Sequence, residues 1–128
     1  MLHQFAAFKK RSFKSAGFTL VEILVVIAVI GLLAAIAIPQ FITYRSEAVD
    51  AQMKSDLRNA SIAIEAYYAK QTVLPASLAE TVGYGFQSTD GVAVSFVILS
   101  PTSYRVTAAK TGGTQANFTY DSATGSIH

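Results

Sequence analysis

The sequence predicts an α+β protein: a long N-terminal α-helix, one half membrane-spanning and the other amphipathic, packed against a small antiparallel β-sheet of three or four strands. Three observations lead there. Residues Phe18–Ile38 form an apolar run of 21 residues interrupted only by Glu22. At helical rise that run is about 31 Å long, enough for a bilayer's hydrocarbon core. From Gln40 onward, Val49, Met53, Leu57, Ala60, Ile64 and Tyr67 or Tyr68 recur at steps of three and four, the period of a half-buried helix. Beyond Gly91 the period shortens to alternation, in β-rich segments separated by turn residues.

The first segment, 1–17, is a basic leader. It holds Lys9, Lys10, Arg11 and Lys14 and no acid, whereas the rest of the chain has six cations against eight acids. A basic stretch before a span marks the cytoplasmic side, so the remainder is predicted to lie beyond the membrane. Residues 18–39 are the membrane-spanning half of the helix and 40–70 the amphipathic half, with Asp50, Lys54, Ser55, Arg58, Asn59 and Ser61 expected on the polar face. Pro39 has no N–H for the carbonyl of Ala35, and Gly31 costs about 1 kcal/mol against alanine, so both are candidate break points. Nothing else stops the helix before Lys70, ahead of Pro75.

Residues 71–91 read as a connecting loop with a short helical turn at 78–82. The sheet region is 92–128. A first strand at Val92–Leu99 puts Val92, Val94, Phe96 and Ile98 on one face. Val97 and Leu99 on the other face predict burial on both sides near its end. Tyr104–Lys110 and Asn117–Tyr120 are the next strands, and a last turn at 121–125 precedes Ile127.

Composition excludes several function classes. The chain has no cysteine and only two histidines, His3 and His128, so disulfides and thiol chemistry are excluded and a two-histidine metal site is not expected. The carboxylates Asp50, Asp56, Glu65, Glu80, Asp90 and Asp121 are scattered without an adjoining base or nucleophile, so the chain is not expected to be an enzyme. No cofactor or metal is expected. Asp90 and Asp121 sit beside glycine-rich turns and read as turn formers, calcium binding being the alternative, and Asn117-Phe118-Thr119 matches a glycosylation sequon but reads as strand. With 14% charged residues, nothing marks a nucleic-acid surface.

Glu22 is the residue out of place. A charge within a spanning segment costs roughly 2.5–3.5 kcal/mol at its centre, so a carboxylate there calls for a partner. Cutting after Gly17 would create one: a new amine on Phe18, four residues from Glu22.

The residues Lys14-Ser15-Ala16-Gly17-Phe18-Thr19-Leu20-Val21-Glu22 resemble the class III signal of type IV pilins and pseudopilins. The resemblance continues through Ile23–Pro39 into Gln40-Phe41. It implies cleavage between Gly17 and Phe18 by a prepilin peptidase, methylation of the Phe18 amine, and insertion of the precursor in the inner membrane with its N-terminus cytoplasmic. It further implies extraction through a pilus assembly platform into a helical homo-oligomer, a cell-surface filament. Phe18 and Glu22 are then assembly residues, with Glu22 neutralising a neighbour's amine, and Gly31 and Pro39 bound a segment able to unwind in the polymer. The chain lacks the C-terminal cysteine pair of many major pilins. The function expected is a pilus structural subunit, the alternatives being a pseudopilin of a type II secretion system or a minor pilin. An ordinary secretory signal cut at Ala35-Ile36-Ala37, or a permanently anchored single-span protein, are competing readings of the same segment.

Overall fold

The computed structural model describes residues 17–128. All of the expected leader except Gly17 therefore lies outside the described residues. Secondary structure consists of helix α1 (Leu20–Gln71), a 3-10 helix (Leu78–Tyr84) and strands β1 (Ala93–Ser100), β2 (Ser103–Ala109), β3 (Asn117–Asp121) and β4 (Ser126–Ile127). The chain divides into two compact units between Ala37 and Ile38, and α1 contributes to both.

Helix α1 retains helical geometry at Gly31 and Pro39. Pro39 removes one backbone donor, but its own carbonyl accepts a hydrogen bond from Thr43 Oγ1 at 3.2 Å. Such a hydroxyl bond to the carbonyl four residues back is compatible with a continuing helix, though it tends to bend one. The helix ends at Gln71, one residue past the expected stop. Thr72 then adopts a positive φ of 60° while its N–H still reaches Tyr68 O at 2.8 Å.

In the unit Ile38–His128 the four strands form an antiparallel meander in the order β1-β2-β3-β4. Register places Val94, Ala108 and Phe118 in one row and Phe96, Val106 and Tyr120 in the next, with Ile98 opposite Tyr104. These residues share one face because strand side chains alternate. That face meets Met53, Leu57, Ala60, Ala63 and Ile64 of α1, all buried in the same core. The predicted helical stripe is thus the packed one. Burying Met53, Leu57 or Ile64 is worth about 1.5–3 kcal/mol each, and each alanine methyl less.

Tyr104 lies at the centre, fully buried, with the rings of Phe96 and Tyr120 at 5.8 and 6.1 Å. Its hydroxyl donates to Glu65 Oε1 at 2.9 Å. Burial first, and the Glu65 carboxylate second, push the phenol above its ordinary range, so it stays protonated.

Three sequence expectations are corrected here. Strand boundaries shift by a residue, β1 starting at Ala93 and β2 at Ser103. Val97 and Leu99 are about half exposed rather than buried, because the core forms on one face of the sheet only. Asp50 is buried rather than solvated, as is Asp56. Asp50 accepts hydrogen bonds from the backbone N–H of Thr114, at 2.9 Å, and from its hydroxyl. Asp56 does the same for Thr89, at 2.6 and 2.7 Å. Each carboxylate therefore fastens one loop to the helix, the β2–β3 loop in one case and the segment before β1 in the other. Gly113 has no space for a β-carbon, which would run into Asp50 and Met53. Lys110 Nζ adds a third tie, donating to Gln52 Oε1 and Asp90 O.

Candidate functional site

The candidate site is the start of α1. Helix begins at Leu20, two residues later than expected, with Phe18 and Thr19 outside it. The reason is local. Thr19 Oγ1 accepts the N–H of Glu22 at 3.2 Å, and Glu22 Oε2 accepts from Thr19 N at 2.8 Å and from Thr19 Oγ1 at 3.1 Å. This reciprocal pattern is a capping box, which satisfies backbone donors that the first helical turn leaves open. The Thr-x-x-Glu spacing was present in the sequence; reading Glu22 only as a charge hid it.

Capping occupies Oε2. Among the described residues Oε1 carries no hydrogen bond. The carboxylate thus caps its own helix through one oxygen and keeps the other unbonded among the described residues. Phe18 precedes the cap and lies outside the helix, 83% exposed, and with Glu22 and Val21 it lines one surface groove at the helix start.

The surface around this carboxylate is apolar throughout. Leu20, Val21, Ile23, Leu24, Val25 and Val26 are each about half or more exposed, and so are the large side chains that follow as far as Ile36. Among the described residues the helix containing this stretch is the one long and apolar enough to cross a membrane. Gly31 lies further along, where an added β-carbon would meet nothing within 4 Å. No packing in this structure requires glycine there.

Of the sequence-predicted site residues, Gly17, Phe18 and Glu22 fall together at the helix start, while Gly31 and Pro39 fall within the helix. Asp121, considered as a turn former, accepts from Arg105 at 2.9 Å and from Ala123 N at 2.9 Å. Those bonds, the Arg105 one foremost, hold its carboxyl below the usual range. No group of three or more His, Cys, Asp or Glu with metal-binding proximity occurs among the described residues.

Residues 12–38 match the family model of the prokaryotic N-terminal methylation motif. The chain is 36% identical over 99 residues to the type IV wide pilus major component of Thermus thermophilus, covering 77% of this chain and 76% of that protein. It is 36% identical over 58 residues to the type IV major pilin of Myxococcus xanthus, covering 45% of this chain and 26% of that one. Similarity also extends to the type II secretion system core protein G of Pseudomonas aeruginosa, 31% over 64 residues, or 50% of this chain and 45% of that one.

Proposed function

The chain belongs to the type IV pilin family, and from that premise we propose that it is processed at Gly17-Phe18 and polymerised through its N-terminal helix into an extracellular type IV pilus. The supporting observation is the helix start: an apolar segment, exposed along its length, whose one carboxylate has an oxygen that accepts no hydrogen bond from the described residues. Similarity across three quarters of a pilus component, against under half of a secretion protein, favours pilus over pseudopilus.

The physics gives each residue a task. Lipid covers the apolar segment in the precursor, with the basic leader cytoplasmic. Prepilin peptidase cuts after Gly17, and the Phe18 amine, then methylated, remains cationic. Transfer from lipid to a bundle of identical helices gains little from the hydrophobic effect, since acyl chains are as apolar as leucine. Polar pairing and close packing then decide the equilibrium. Two opposite unit charges at about 4 Å attract by about 4 kcal/mol at an effective dielectric near 20, before desolvation is subtracted. Glu22 Oε1 is available to a neighbour's Phe18 amine, and a slipped register leaves both unpaired, so the pair sets register as well as attraction. Gly31 and Pro39 supply a segment that releases helical hydrogen bonds where neighbours shield the freed groups. The assembly platform in the inner membrane feeds subunits to the growing base.

Filaments sheared from cells and purified test the proposal. Intact mass should identify this polypeptide beginning at Phe18 with one added methyl. Filaments lacking the chain, or a mature N-terminus at Ile38, contradict it.

A further inference from the structure

Strand β1 is an edge strand, paired with β2 on one side only. Among the described residues no backbone hydrogen bond outside the sheet's own ladders involves Ala93–Ser100. Its other side therefore presents open N–H and C=O groups. The strand's sequence, AVSFVILS, contains no charge, no proline and no glycine. Exposed edges are ordinarily protected by charges, proline or a β-bulge, because an uncharged β-rich edge templates further strand pairing; here the register shift between Ile98 and Ser100 is the one such device in the strand.

The far end is the least covered. Val97, Ile98 and Leu99 are 56%, 45% and 48% exposed. Val97 pairs with Arg105 on the outer face and Ile98 with Tyr104 on the core face, so β1 itself offers apolar side chains on both faces at this end, with Arg105 beside Val97. Leu99 falls where the register shifts between Ile98 and Ser100. Single exposed apolar residues are ordinary on any surface. Three in succession at an edge without charge or proline are not scattered.

We propose that the outer edge of β1, with its Val97–Leu99 end, docks against a second copy of this chain in the assembled filament. The inference rests on the filament reading, which supplies the occupant: identical copies repeat beside one another along a polymer. A contact between this edge and a different surface of the next copy is heterologous, and contacts of that kind propagate rather than close. It also continues what the first half of α1 does, leaving apolar surface for other copies to cover.

The absence of cysteine makes the test direct, since Leu99→Cys introduces the chain's single thiol. Maleimide should label Leu99→Cys in detergent-dispersed subunits at least tenfold faster than in intact filaments purified until this chain is the sole polypeptide. Equal rates overturn the proposal and leave the filament reading standing. Protection only in filaments that retain a second protein also overturns it. In parallel, Leu99→Glu should lower sheared filament more than tenfold while the membrane pool of cleaved subunit stays at its normal level; normal filaments contradict the proposal. Cells whose surface filaments never contain the unaltered chain overturn this inference and the function together.

Discussion

The two halves of α1 handle apolar residues in opposite ways. Between Leu20 and Ala37 large aliphatic side chains point outward on every side, and none is buried. Between Asp50 and Ile64 one apolar stripe, Met53, Leu57, Ala60, Ala63 and Ile64, is buried against the sheet while Ile62 stays exposed, and even two aspartates are enclosed with their partners. An all-round apolar helix must be covered by something outside its own fold, whereas a striped helix is completed by its own chain. One helix thus has a half whose apolar stripe its own chain covers and a half whose apolar surface it leaves open.

The largest expected effect belongs to the first half. Glu22→Ala should reduce filament yield by more than tenfold, a change equivalent to about 1.4 kcal/mol, with insertion and cleavage intact. Glu22→Gln separates the two tasks of this residue. Glutamine preserves a capping box but carries no charge, so it should assemble as poorly as alanine. Normal filaments from Glu22→Gln would reduce Glu22 to a helix cap.

The second half is broken by packing instead. Leu57→Ala, at a fully buried position, should lower the stability of the Ile38–His128 unit by about 2–5 kcal/mol in denaturant unfolding. Leu33→Ala, at an exposed position of the first half, should leave that transition unchanged. Equal losses would erase the distinction between the halves.

Smaller effects test the loop ties. Asp50→Ala leaves the N–H and hydroxyl of Thr114 without their acceptor, at a cost of about 1–3 kcal/mol. Exchange of the Thr114 amide should accelerate while that of Thr89, held by Asp56, should not.

The smallest effect is on pH. The folded-state carboxyl of Asp121 is lowered from 3.8 by Arg105 and the Ala123 N–H. Its contribution is therefore present above about pH 4 and lost as pH falls further through the folded value. Arg105→Gln should flatten that acid limb; an unchanged limb assigns it to other groups. Arg105 is half exposed, so solvent screens the pair.

Legibility in the sequence follows the same division. The apolar run, the stripe of Met53, Leu57, Ala60 and Ile64, and the alternation of Tyr104, Val106 and Ala108 are periodic, and the structure has them where the period put them. Asp50 and Asp56 were not legible, because a carboxylate is read as outward unless its distant partner is known, and Thr114 is 64 residues from Asp50. Val97 and Leu99 carried the signal of a buried strand, and one subunit does not provide the cover. At the helix start the pattern was present twice over. Thr19 and Glu22 spell a cap, and the same carboxylate breaks an apolar run.

A density map of the assembled filament tests the central claim most directly. Residues 20–37 of every copy should lie at the filament axis, surrounded by the same segment of other copies, with each Glu22 carboxylate in hydrogen-bond contact with a neighbour's Phe18 amine. A map that places this segment at the periphery, or leaves Glu22 facing solvent, would contradict it.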